Sequence, residues 1–191
     1  LNAIVAYDWI ASTLSKAERA ALMKPMLDHL DFMRKPGFLY NDGGARDGNY
    51  GDPALMWYAG VATCRDGFAD AQASRLLRDG YRIFTDMMAY RDHISGGSGV
   101  LTSICSGYSF GAYPAGSFNF LHTLLSSAGV DGTKYWTQLR DYPNWFLWAT
   151  IRGPRGLHEY GFGDASHLDN RMPLARIYSH MAQVIHFYGS R

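Results

Sequence analysis

Apolar residues recur at helical spacing along nearly the whole chain, and no segment shows the strict alternation of a half-buried strand. Residues 2–14, 70–94 and 172–188 each place apolar side chains three or four positions apart. Long loops rich in glycine and aspartate separate such segments at 36–52 and 153–170. We therefore predict an all-α fold built from antiparallel helix pairs, whose connecting loops are alternately short and long.

Several helix ends can be predicted from local residues. Ser15 and Glu18 have the spacing of a capping box, which predicts that a helix begins just after Ser15. Pro25 lies inside that helix and is expected to kink it or to shorten its first part. Asp52 followed by Pro53 is typical of a helix start, with the cap residue first and proline in the first turn.

The region after residue 128 is predicted to contain short helices. Gly129 is expected to end the apolar helix before it. Pro143 is expected to start a separate helix that extends to Gly153, after a short amphipathic one. Residues 153–170 are expected to form a glycine-rich loop. We predict no strand here.

Composition and charge exclude several classes of protein. The chain has 191 residues, which suits one domain over 1–191, and its net charge of +1 gives no footprint for nucleic acid or an acidic membrane. No apolar run reaches the length that spans a bilayer. Cys64 and Cys105 fit no zinc or CxxC pattern, so we predict no metal or cofactor and favour two free thiols over a disulfide. Both ends look cut, and we expect the chain to be part of a longer one.

One uncharged stretch, "SGYSFGAYPAGSFNF" at 106–120, stands out from these helical segments. It contains three glycines, two tyrosines, three phenylalanines and a proline. Glycines loosen the start of a helix, and tyrosine offers an apolar ring with a polar edge that suits sugars. The stretch therefore indicates a tyrosine-lined binding surface at the start of an apolar helix.

Four pieces of the chain resemble the α/α-toroid domain of the heparinase II/III-like polysaccharide lyases, which include relatives acting on alginate. They are "AYDWIASTLSKAERAAL", "GNYGDPALMWYAGVAT", "GVLTSICSGYSFGAYPAGSFNFLHTLLSSAGVDG" and "DYPNWFLWATIRGPRGLHEYGFGDASH". The resemblance implies an incomplete (α/α) toroid and a β-sandwich domain of the same parent chain, which in the family contributes a catalytic histidine. It also implies a secreted or periplasmic protein.

The same resemblance implies β-elimination at a uronic acid in an acidic polysaccharide. Tyrosine would serve as acid and base, and asparagine or arginine would neutralise the uronate carboxylate. The residues at the matching catalytic positions are Tyr113, Tyr108 and Asn49. The residues expected to bind substrate are Arg46, Tyr50, His158, Glu159 and His167.

Two other functions stay open on the sequence. A toroid glycoside hydrolase would use paired carboxylates, for which Asp52, Asp164 and Glu159 are available. A non-catalytic carbohydrate-binding module is favoured by Ser106, because the family usually has glutamate there, and by the absence of the β-sandwich domain.

The remaining histidines and the tryptophans are expected to be structural. His122, His180 and His186 lie in apolar helical patterns and are predicted to be in the core or at an interface. The tryptophans Trp136, Trp145 and Trp148 are predicted to be core, with room for one ring to face a sugar.

Overall fold

The computed structural model describes residues 1–33, 52–100, 112–154, 156–159 and 174–189. These residues are mostly helical, as predicted. The α-helices are α1 (Asn2–Ile10), α2 (Lys16–Met33), α3 (Asp52–Thr63), α4 (Asp70–Ser95), α5 (Ala112–Ala128), α6 (Thr137–Trp148) and α7 (Leu174–Tyr188). A 3-10 helix covers Ala11–Thr13, and two strands, β1 (Thr150–Gly153) and β2 (Gly156–Glu159), form an antiparallel hairpin. The described residues fall into two compact units, which divide inside α4 between Asp86 and Met87.

Unit 1 contains α1, α2, α3 and the first part of α4. Its core is apolar and draws on all four helices: Ile4, Tyr7, Met23, Leu27, Leu30, Met56, Ala59 and Leu76. The predicted capping box is present, because the Ser15 backbone N–H donates to Glu18 Oε2 at 2.8 Å and the Glu18 N–H donates to Ser15 Oγ at 3.3 Å. This reciprocal pair satisfies two backbone donors where α2 begins.

Polar contacts tie the elements of unit 1 together at its surface. Gln72 of α4 donates to two α2 carboxylates, at 2.9 Å to Asp28 and 2.7 Å to Asp31. Tyr7 of α1 donates its hydroxyl to Asp66, in the segment between α3 and α4. Burial is the first cause that raises the pKa of Tyr7 above its ordinary value, and the hydrogen bond to Asp66 is the second.

Unit 2 contains the end of α4, then α5, α6, the hairpin and α7. Its core combines aromatic rings with aliphatic side chains. The buried core residues on α5 and α7 include Phe118, Phe120, Leu121, Leu124, Ile177 and Phe187. The rings of Phe118 and Phe187 stack nearly parallel with centroids 6.2 Å apart, so α5 and α7 pack directly on each other.

The start of α6 is capped from another helix. Trp136 stands at the N-cap position and makes no side-chain capping bond. Asp92 of α4 takes this role instead, since its Oδ1 accepts from the Gln138 backbone N–H at 2.7 Å and from Thr137 Oγ1 at 2.9 Å. A carboxylate at this end also interacts favourably with the helix dipole.

Two prolines lie inside continuous helices, which corrects the prediction that Pro143 starts a helix and the expectation that Pro25 could shorten one. α2 runs through Pro25 without being shortened. Pro143 does not start a helix: it lies in the middle of α6, which ends at Trp148 rather than at Gly153. Leu139 and Tyr142, both fully buried, anchor α6 up to the proline. Their burial, worth about 1.5–3 kcal/mol for each large side chain, offsets the roughly 3 kcal/mol that an interior proline costs.

The hairpin was not predicted. Thr150 pairs with Glu159 and Arg152 with Leu157, where a helix end and a glycine-rich loop were expected. Each strand has only four residues, which is too short for alternation to be visible in the sequence. Gly156 has a φ of +119°, a conformation that glycine adopts readily, and it begins the second strand.

Candidate functional site

Three of the predicted site residues, Tyr113, His158 and Glu159, lie within the described ranges of the chain, and the others lie outside them. Tyr113 is the second residue of α5, and so its backbone lies in the first turn of that helix. His158 and Glu159 are adjacent on β2, opposite Ile151 and Thr150 of β1. The remaining predicted residues are outside the described residues: Arg46, Asn49, Tyr50, Tyr108 and His167. The same holds for Asp164 of the hydrolase alternative, whereas Asp52 is the first residue of α3.

The helix that carries Tyr113 is held in place by its middle and later turns. Pro114 falls in the first turn, where its missing N–H costs no intrahelical bond. Ser117 and Phe118 are buried one turn further on. The Phe118 ring stacks on Phe187 and, at 6.3 Å between centroids, on His180 of α7. The first turn of α5, which carries Tyr113, is therefore continuous with a turn that is firmly packed in unit 2.

Polar side chains from three helices, α5, α6 and α7, are buried inside unit 2. Gln138 of α6 donates to the Met88 carbonyl at 3.4 Å, and Ser117 of α5 donates to the Met88 sulfur at 3.4 Å. Tyr142, one turn after Gln138, meets the ring of His180 edge-on at 6.0 Å. We call these four side chains, Ser117, Gln138, Tyr142 and His180, the polar core of unit 2.

On the buried face of α6, the hydroxyl of Tyr142 and Oε1 of Gln138 make no hydrogen bond within the described part of the chain. A buried polar atom without a partner costs about 1–3 kcal/mol, so this face of α6 carries an energetic penalty that packing must outweigh. Burial also holds the pKa of Tyr142 above its ordinary value, which makes the phenol a poor base at neutral pH.

Sequence reasoning did not single out Gln138 and Tyr142. The signal was present, because the two are four residues apart, with a glutamine in the apolar stripe of an amphipathic helix. A polar residue at such a position must either be paired or carry a cost, and it therefore merits the same attention as a catalytic candidate.

The three tryptophans of unit 2 differ in their surroundings. Trp136 is 4% exposed and packs against Phe120 at 5.5 Å between centroids. Trp145 is half-buried, whereas Trp148 is 81% exposed at the end of α6, two residues before β1 begins. The core prediction is confirmed for Trp136 and wrong for Trp148. Trp148 is the last residue of α6, so no further turn of this helix continues its packed face beyond it.

The hairpin next to Trp148 presents one exposed face. Arg152 and Leu157 stand opposite each other across the two strands, and both are exposed. Cross-strand partners point to the same face of a sheet, so this face offers a cation and an apolar side chain side by side. The register sets Glu159 opposite Thr150 at the end of the hairpin nearer to Trp148.

Within the described residues, no group of three or more histidine, cysteine, aspartate or glutamate side chains is placed to hold a metal ion. Cys64 is a free thiol. No helix in the described ranges is both long enough and apolar enough to cross a membrane.

Comparison of the chain with protein-family models, with curated proteins and with solved structures gave no match in any of the three. Functional inference therefore depends on the residues themselves.

Proposed function

We propose that this protein is a polysaccharide lyase that cleaves a uronic-acid-containing polysaccharide by β-elimination. The observation that carries the proposal is the uncharged glycine- and tyrosine-rich stretch 106–120, which resembles the corresponding segment of the heparinase II/III-like lyases. The mostly helical architecture is in keeping with an α/α toroid, which is the arrangement that we propose for the helix pairs.

In the proposed reaction a base removes the proton on C5, next to the carboxylate of the uronic acid. The C5–H electron pair forms the C4–C5 double bond, the C4–O4 bond breaks, and an acid protonates the departing oxygen. Tyr113 is the first choice for acid and base, with Tyr108 as the second. Tyr113 lies in the first turn of α5, and the amino end of a helix favours negative charge nearby.

The developing enolate also needs fixed donors beside the carboxylate. Asn49 would donate to it, and Arg46 would neutralise it through two parallel hydrogen bonds. Tyr50, His158, Glu159 and His167 would line the groove for neighbouring sugars. The partner is an acidic polysaccharide, and the expected location is secreted or periplasmic.

The test is the substitution Tyr113→Phe in the full-length protein, assayed on uronate polysaccharides for the near-ultraviolet absorbance of the new C4–C5 double bond. General acid–base catalysis is worth about 10²–10⁴-fold, and a loss of kcat of that size is expected. Tyr135→Phe is the matched control, because Tyr135 is a largely exposed tyrosine of the same unit, stacked under Lys134. Full activity of Tyr113→Phe would remove Tyr113 from the mechanism.

The same assay separates the hydrolase alternative. A hydrolase releases reducing ends without a double bond, and Asp164→Asn would then abolish activity while Tyr113→Phe keeps it.

A second candidate function, a non-catalytic carbohydrate-binding module, is favoured by the exposure of Trp148. An exposed indole, four residues before the exposed Arg152 in the chain, suits a sugar ring that carries a carboxylate. On this proposal Trp148→Ala weakens binding to an acidic polysaccharide at least tenfold without loss of stability. Trp136→Ala, the buried counterpart, instead destabilises the protein by about 3–5 kcal/mol. Binding that is unchanged in Trp148→Ala would rule out this surface.

A further inference from the structure

Two histidines from different helices stand next to each other at the surface of unit 2. His122 of α5 is half-buried and His186 of α7 is exposed. Their rings stack with centroids 5.4 Å apart and an angle of 25° between the planes. Phe187 lies against both rings, at 4.6 Å from His122 and 4.9 Å from His186. The buried phenylalanine thus packs against both imidazoles.

The hydrogen bond of His122 fixes which of its nitrogens can bind a ligand. His122 Nε2 lies 2.5 Å from Oε1 of Gln183, one turn before His186 on α7. A carboxamide oxygen only accepts, so Nε2 of His122 carries the hydrogen and donates it. In the neutral ring the lone pair is then on Nδ1. A histidine whose second nitrogen donates to an oxygen acceptor is the usual form of a metal ligand, since that bond orients the ring and raises its basicity.

From this geometry we propose that His122 and His186 form a two-histidine site for a divalent transition-metal ion such as Zn²⁺, with Gln183 orienting His122. The ion binds through Nδ1 of His122 and one ring nitrogen of His186, and water completes its coordination. Zinc–nitrogen bonds of about 2.0–2.1 Å in a tetrahedral site set the two nitrogens about 3.4 Å apart. Two imidazoles that bind one such ion through ring nitrogens have centroids about 5 Å apart, which is close to the 5.4 Å found for His122 and His186.

The two imidazole ligands determine which metal ions the site prefers and how many coordination positions stay open. Among the described residues no third histidine, cysteine, aspartate or glutamate completes the group, so two coordination positions stay open to solvent or to a small ligand. Imidazole ligands favour Zn²⁺, Cu²⁺ and Ni²⁺ over Mg²⁺ and Ca²⁺, which prefer oxygen. Because the two ligands come from α5 and α7, bound metal links these helices. The proposal is independent of the lyase reaction.

The test is a calorimetric titration of the full-length protein with ZnCl₂, repeated on His122→Asn and His186→Asn. Saturable binding of one ion at this site is expected in the parent protein, weakened more than tenfold in each variant. Gln183→Leu keeps both ligands and loses only the orienting bond, so it weakens binding by about tenfold. His93→Asn is the matched control, because His93 is an exposed histidine at the end of α4, and it leaves the affinity unchanged.

Nitrogen-15 spectra of the imidazoles give a second readout that does not depend on affinity. Addition of ZnCl₂ should shift Nδ1 of His122, while Nε2 keeps its hydrogen. Equal affinities of the parent protein and both histidine variants would show an adventitious ion only and overturn the proposal. Loss of the hydrogen from Nε2 of His122 on addition of ZnCl₂ would overturn it as well, since Nε2 rather than Nδ1 would then be the ligand and could no longer donate to Gln183.

Discussion

Two buried tyrosines of unit 2 differ in what their hydroxyls contact. Tyr188 donates its hydroxyl to the Trp136 carbonyl at 2.8 Å, whereas the Tyr142 hydroxyl has no hydrogen-bond partner in the described structure. Loss of a satisfied buried bond costs about 1 kcal/mol, while removal of an unpartnered polar atom is neutral or stabilising. Tyr188→Phe should therefore lower the free energy of unfolding by about 1 kcal/mol, and Tyr142→Phe should leave it unchanged or raise it.

Urea denaturation of the two variants measures both effects on the same scale. Both substitutions remove one hydroxyl from a buried ring, so each is the control for the other. A loss of 1 kcal/mol or more in Tyr142→Phe would show that its hydroxyl has a partner, such as a buried water.

At the residue scale, the sequence was a better guide to local chemistry than to exposure. The Ser15–Glu18 capping box follows from spacing alone and is confirmed. The opposite environments of Trp136 and Trp148 do not follow from residue spacing, because they depend on where α6 ends and on what packs against α6. The assignment of Tyr113 stays a prediction.

At the scale of elements, the glycines of α3 and α5 have opposite surroundings. A Cβ at Gly60 would lie 2.7 Å from both Cα and N of Leu77, because α3 and α4 touch there backbone to backbone. A Cβ at Gly116 in α5 would meet nothing within 4 Å. Gly60→Ala should therefore destabilise unit 1 by about 1–3 kcal/mol through overpacking. Gly116→Ala should stabilise α5 by about 0.5–1 kcal/mol through helix propensity.

Thermal unfolding of the two variants tests this contrast, since both replace a helical glycine by alanine. A stabilised Gly60→Ala would mean that α3 and α4 can separate at no cost. An activity assay on Gly116→Ala adds a functional comparison: if sugar approaches the backbone of α5 at this position, the variant loses activity while it gains stability.

Sequence periodicity identified most helices but misplaced elements that depend on tertiary packing. The end of α5 at Ala128, just before Gly129, agrees with the local signal. The continuity of α6 through Pro143 depends on buried side chains and on a cap from α4, neither of which is local in sequence. The hairpin was missed because its strands are short and each begins or ends at a glycine.

At the scale of the whole molecule, buried tyrosines in both units predict a loss of stability in alkali. Burial raises the pKa of Tyr58 in unit 1 to about 12, and the pKa values of Tyr7 and Tyr142 are raised as well. The pKa of tyrosine in an unfolded chain is about 10. Above that pH the unfolded chain loses phenolic protons that the native state keeps, so stability falls as pH rises.

For each such tyrosine, the free energy of unfolding should fall by about 1.4 kcal/mol per pH unit between its unfolded and native pKa values. Urea denaturation at a series of pH values from about 9 to 11.5 measures the slope. Tyr58→Phe should remove the contribution of one proton, about 1.4 kcal/mol per pH unit, from the slope of the free energy of unfolding against pH. The alkaline titrations of the other tyrosines should be unaffected. Parallel slopes for the two proteins would contradict the assigned environment of Tyr58.

The capping of α6 by Asp92 has a consequence for the order of events during folding. Thr137, whose Oγ1 donates to Asp92, is 45 residues away from it in the chain. The first turn of α6 therefore gains its cap only after a long segment of chain has closed. Contacts that form after the rate-limiting step act on unfolding rather than on folding. We expect Asp92→Ala to speed unfolding several-fold in stopped-flow measurements and to leave the refolding rate nearly unchanged. A refolding rate that drops by the same factor would instead place this cap in the folding nucleus, with α4 and α6 joined before the rest of unit 2 is assembled.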